Sequence, residues 1–233
     1  MKRLITTELL INKNKVYLIL LMILCVGYSK INAQILLPSE SNTNNINFNT
    51  GLDNNLLALN IGYSYYLTNL KSSPFISFTQ GSSLLATGNF RAELGVNTWQ
   101  GSFRKFTLKS QLSLVFARSE NEAGNYNGLG INFTINPGFK FGNYGFGLDL
   151  QYNPFYATYI KHSNTYLQNY YANAKDGWYE NTAKNKRIGF YGAKQFGKKN
   201  GSEISFKAGY QNNGLYDKLI PNFYGIIGIN KSF

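Results

Sequence analysis

Cysteine, histidine and charge are all scarce in this chain. Its 233 residues include one Cys and one His, and only 15% are charged, against about 25% in an ordinary soluble domain. Cys25 lies inside an N-terminal apolar run, so the remainder has no thiol for a disulfide, a cysteine-based zinc site or nucleophilic catalysis. A single His does not make a metal centre, and no metal site is expected. Glycine-rich phosphate loops are missing too, because the GxG pieces lie in alternating stretches with no helix after them; no cofactor is expected. Beyond the N-terminal run, no apolar segment reaches the roughly 20 residues that a membrane helix needs.

Aromatic residues are abundant: 18 Tyr and 17 Phe contribute to a 16% aromatic content. This composition is far from that of a disordered chain. The N-terminus reads as an export signal, residues 1–33. Lys2, Arg3, Lys13 and Lys15 precede the apolar run 16–26, and Ile31-Asn32-Ala33 offers a small residue at a cleavage point before Gln34. The apolar run is too short for a membrane anchor. Lipidation of Cys25 is disfavoured because Leu24 before it is not small. Cleavage removes Lys2, Arg3, Lys13, Lys15, Lys30 and Glu8, taking 23 basic and 11 acidic residues to 18 and 10, a charge of +8. Those charges are dispersed and form no basic stripe, so no nucleic-acid partner is expected.

Period-two alternation then recurs along the chain. Over residues 57–67, Leu57, Leu59, Ile61, Tyr63, Tyr65 and Leu67 oppose Ala58, Asn60, Gly62, Ser64 and Tyr66. Residues 106–117, 129–141 and 144–152 repeat the pattern, and 90–99 and 204–210 do so less fully. Several of these runs are long for soluble strands but suit tilted membrane strands. Counting back from the C-terminus, longer links (213–221, 161–186, 119–126) alternate with short ones (197–202, 142–143, 100–102). Short periplasmic turns and long outer loops give that rhythm in outer-membrane barrels. The expected fold is an all-β, closed antiparallel up-and-down transmembrane barrel over 46–233, after a periplasmic segment 34–45. Ten strands are favoured. Eight is the alternative, since 46–52 and 75–80 alternate most weakly.

A soluble barrel also alternates, with its apolar face inward. Three features favour the opposite arrangement. Glycine crowds the polar face at Gly62, Gly95, Gly130, Gly138, Gly145, Gly147 and Gly209, which helps a narrow lumen close. Aromatic residues such as Tyr63, Tyr65, Phe139, Phe141, Tyr144, Tyr156 and Tyr159 stand near strand ends, as interfacial girdles do. The final stretch, with Phe223, Ile227 and Ile229, stops at Phe233. That ending resembles the terminal-aromatic assembly signal of outer-membrane proteins, although Lys231 interrupts it. Over residues 46–233 the pattern resembles the small, OmpX-like class of outer-membrane barrels, implying the cell outer membrane as location and its lipid as surroundings. The resemblance brings no residue roles.

The inferred lumen face carries Arg91, Glu93, Lys109, Lys140, Asp149, Glu203 and Lys207, four basic and three acidic residues. Buried charges must be paired, so a salt-bridged interior is expected. The alternative is a narrow, weakly selective channel; a wide porin needs more strands than this chain supplies. Tyr166, Tyr170, Tyr171, Trp178 and Tyr179 fall in the longest expected outer link, where aromatic rings with polar neighbours suit a protein or glycan partner. Catalysis is not expected. Adjacent His162 and Ser163 point to opposite sides of an extended chain, and nothing sets Glu120 or Glu122 at a working distance. The reading is a non-enzymatic barrel acting as a structural or surface-interaction protein. A narrow channel for ions or small solutes comes next, then a barrel enzyme using His162 or a soluble binder of apolar ligands.

Overall fold

Alternating side chains become a closed wall when each strand pairs on both sides. The computed structural model describes residues 44–52, 57–82, 89–100, 105–170, 172–196, 201–212 and 223–233. The expected leader 1–33 and positions 34–43 lie outside them. Ten antiparallel strands follow in chain order: β1 (Asn44–Leu52), β2 (Leu57–Tyr65), β3 (Ser72–Ser82), β4 (Phe90–Gln100), β5 (Phe106–Asn121), β6 (Gly124–Phe141), β7 (Tyr144–His162), β8 (Gly177–Phe196), β9 (Ser202–Asn212) and β10 (Phe223–Ser232). Each pairs with its sequence neighbours, and β1 pairs with β10 to close the barrel. Eight strands are thereby excluded, and β1 begins two residues ahead of the expected 46.

The barrel is apolar outside and polar within. Ile61, Ile76, Leu94, Leu114, Ile188 and Ile227 are all exposed on the exterior, and every strand contributes to this belt. Buried side chains are mostly polar, among them Ser113, Asn132, Asn136, Asp149, Asn153 and Gln211. A soluble barrel that carries an apolar ligand requires the reverse. The rim holding Asn44 and Phe233, the near rim, wears an aromatic girdle in which Phe141 stacks on Phe146 with ring centroids 5.6 Å apart. Lys105 and Lys194 place their ammonium groups over Phe141 and Tyr144 there. Also at this rim, Gly142-Asn143 is a two-residue hairpin turn. Gly142 takes a φ of 56°, the left-handed value that primed turns need.

At the far rim the structure departs from two expectations. The link expected at 119–126 shrinks to residues 122–123, because β5 and β6 run on as a paired hairpin. The link expected at 161–186 covers only 163–176, and Trp178 and Tyr179 are strand residues of β8. Alternation fades in these extensions for a physical reason: above the apolar belt, neither face needs to be hydrophobic. Bulges add to this. A register shift between Phe155 and Ala157, with Asn181 at a φ of 51° on the facing strand, re-phases the pattern midway.

Candidate functional site

The lumen is crossed by hydrogen-bonded chords. Nearer the far rim, Arg91 on β4 donates from Nε to Glu93 Oε1 at 2.7 Å, and from a terminal nitrogen to Asn153 Oδ1 on β7 at 2.9 Å. Glu93 Oε2 also accepts from Ser113 Oγ (2.7 Å) and from Asn132 Nδ2 on β6 (3.1 Å). Asp149 on β7 is the hub of the other half, at 1% exposure. Its Oδ1 accepts from Lys207 Nζ on β9 at 2.8 Å and Asn136 Nδ2 at 2.7 Å, and its Oδ2 from the Tyr224 hydroxyl on β10 at 2.9 Å. Such fully engaged carboxylates are the form in which a low-dielectric interior tolerates charge.

Lys140 Nζ donates to Gln195 Oε1 at 3.2 Å toward the near rim, where Glu203 is buried on β9 beside Gln195 in register. Lys109 lines a lumen cavity of ≈ 230 Å³ together with Arg91, Glu93, Lys207 and Arg187. Arg187 also belongs to the lumen, although it was not among the expected lumen charges: it stands at the first position after the expected 161–186 link, at the very edge of the eighth strand. The alternation of Ile188, Phe190 and Phe196 against Gly189, Tyr191 and Gln195 was the signal that could have placed Arg187 inside. Its guanidinium sits 4.3 Å from the centre of the Tyr224 ring. Tyr224 was missed as well, being an aromatic residue on a polar face.

The far rim is built differently. On β8, pairing with β9 begins only at Lys186, leaving residues 177–185 without a β9 partner among the described residues. Seven of these nine residues pair with β7, all but Asn181 and Thr182 at the bulge, and they rise as a wall beyond the described part of β9. Along a strand nine residues span about 30 Å, or about 20 Å of height at the tilt typical of such barrels. Trp178 is exposed on this wall, packed edge-on against Tyr159 with centroids 5.6 Å apart. Tyr179 points to the opposite face, and its hydroxyl donates to the Lys175 carbonyl oxygen at 2.5 Å. Helix α1 (Asn164–Asn169) caps the wall; Ser163 Oγ accepts from Tyr166 N at 3.1 Å and donates to the Glu122 carbonyl oxygen at 2.6 Å. The rings of His162, Tyr166 and Tyr170 stack in succession, with centroids 5.4 and 6.0 Å apart. Tyr166 and Tyr170 therefore form one cluster, Trp178 and Tyr179 lie on the two faces of β8, and Tyr171 is outside the described residues.

His162 pairs with Asp176, not with Ser163. Both its backbone N–H (2.8 Å) and its Nδ1 (3.0 Å) meet Asp176 Oδ1. The backbone hydrogen bond, then the ring, holds the Asp176 carboxyl below its ordinary value of 3.8. A depressed carboxylate contributes stability above its unfolded pKa and loses it as pH falls through the lowered one. The 163–176 link is thus expected to resist limited proteolysis unchanged from neutral pH to about pH 5, opening only below the ordinary carboxylate range. Asp176→Asn should be cut several-fold faster at neutral pH. Equal cleavage of the variant and the parent across this range would rule out the clasp.

No family model matches the chain, and no curated protein does. Among the solved structures that match is the crystal structure of Acinetobacter baumannii OccAB3, with 11% identity and a TM-score of 0.26 over 79% of this chain. The chain spans 59% of that protein's length. At this distance no residue role carries over.

Proposed function

We propose that the chain is a non-enzymatic, small outer-membrane barrel of the OmpX-like class that presents the β7–β8 wall to a protein or glycan outside the cell. The observation that carries this reading is the β7–β8 extension, in which residues 177–185 rise past the last β9 pair among the described residues and lift Trp178 and the Tyr166–Tyr170 stack clear of the apolar belt. Aromatic rings on a rigid strand lose little entropy on binding and offer both a stacking face and polar neighbours. The apolar exterior supports lipid as the surroundings. One external groove, lined by Phe133, Ile135, Leu150 and Ile188 among others, ends at Lys186, which suits an acyl chain below an anionic headgroup. Ser163 Oγ is committed to the helix cap, which supports the non-enzymatic reading.

Two measurements test it. Mature-sized protein is expected in the outer-membrane fraction, with electrophoretic mobility that shifts on boiling. Protein immobilised in detergent and probed with arrays of glycans and extracellular proteins is expected to retain a ligand that the Trp178→Ala/Tyr170→Ala double variant loses at least tenfold. Retention by a variant that still shows the boiling shift would move the binding surface elsewhere.

A second reading, a narrow channel for ions or small solutes, rests on the ≈ 230 Å³ lumen cavity. The chords from Arg91 to Asn153 and from Asp149 to Tyr224 run across any such path and favour a closed lumen. Steady single-channel current from wild-type protein in a planar bilayer, altered by Lys109→Glu, would reverse that preference.

A further inference from the structure

We infer that the lumen cavity is a binding site for a small divalent oxyanion of the phosphate type. Four cationic side chains, Arg91, Lys109, Arg187 and Lys207, line the cavity against one carboxylate, Glu93. Counting the described lumen residues adds Lys140, Asp149 and Glu203, giving five cations to three carboxylates and an excess of two positive charges among them.

Position strengthens the count. Both oxygens of Glu93 and both of Asp149 already accept hydrogen bonds, three for each carboxylate from Arg91, Ser113 and Asn132 and from Lys207, Asn136 and Tyr224. These carboxylates hold the wall in shape, and their capacity is largely used there. Arg187 is steadied by its contact with Tyr224, itself tied to Asp149. Cations fixed in place around a walled space attract an anion more strongly than mobile surface lysines do, because water screens them less. Asn47 and Gln111 on the same wall supply amide groups able to donate to oxyanion oxygens. The volume is far above the roughly 10–15 Å³ that a cavity needs to hold one water, and admits a tetrahedral oxyanion with part of its hydration shell. Two excess charges select a divalent over a monovalent anion.

The site is separate from the β7–β8 wall, so its failure leaves the surface-binding proposal standing. The test is isothermal titration of the purified barrel, in uncharged detergent at neutral pH, with inorganic phosphate and with chloride at matched ionic strength. Saturable one-to-one binding of phosphate, with none for chloride, is expected. Lys109→Gln and Arg187→Gln should each weaken it at least tenfold while retaining the boiling shift. Should either variant fail to fold, the line width of the ³¹P resonance of phosphate with wild-type protein decides the matter: broadening relieved by sulfate and not by acetate is expected. Phosphate behaving as chloride does, variants binding as the parent does, or acetate competing as well as sulfate would each overturn the assignment. Phosphate binding supports the site whether or not the lumen also passes current.

Discussion

Asp149→Leu is expected to destabilise the barrel by about 3–5 kcal/mol, the usual result of removing one partner from a buried, hydrogen-bonded charge pair. Three donors from three other strands converge on this one carboxylate: Asn136 of β6, Lys207 of β9 and Tyr224 of β10. The substitution leaves Lys207 near the cavity without its counter-charge and strips a buried hydroxyl and amide of their acceptor. Urea titration of the barrel refolded in phospholipid vesicles measures the loss. Adding Lys207→Met should recover about half of it, since the cost of an uncompensated ammonium then disappears. No recovery would mean that Asp149 acts mainly through Tyr224 and Asn136, whose hydrogen bonds the second substitution does not restore.

Gly189→Val is expected to prevent closure between β8 and β9. Gly189 stands opposite Gly209 in register, and a Cβ at Gly189 would collide with the Ala208 carbonyl oxygen and the Tyr224 hydroxyl. The same arrangement recurs where Gly147 faces Gly138 beneath the Tyr191 hydroxyl. In each case a tyrosine occupies the space above a glycine pair, covering backbone that would otherwise face the lumen bare. Overpacking at a backbone contact lies at or beyond the upper end of about 1–3 kcal/mol. The unboiled, fast-migrating band should therefore be lost in Gly189→Val, whereas Gly142→Asn should retain it, because asparagine tolerates a left-handed φ at small cost and nothing lies within 4 Å of a Cβ at the Gly142 turn. A fully folded Gly189→Val barrel would show that the lumen has slack where the packing indicates none.

Both experiments address features of unequal legibility. The positions of Asp149, Lys207 and Gly209 on the polar face followed from alternation alone, because a one-residue error in a two-residue period inverts every side chain. Their partners did not follow. Asp149 meets Lys207 across 58 residues and Tyr224 across 75, a pairing decided by the curvature of a closed wall. Arg187 was lost at a strand boundary, and the reach of β8 up to Gly177 was lost with it. There the chain leaves the apolar belt, so its sequence no longer needs a hydrophobic face. The bulge at Phe155–Ala157 removed what periodicity remained.

The sequence by itself determined an all-β barrel with an inward polar face, because alternation and the spacing of turns are local properties that each strand carries alone. Only the tertiary structure decided the ten-strand closure of β1 on β10, the chords that cross the lumen, the excess of cations around one cavity and the height of the β7–β8 wall. These depend on strand tilt and register around the whole circumference. A single strand cannot encode how far it lies from a partner three strands away; the closed ring sets that distance.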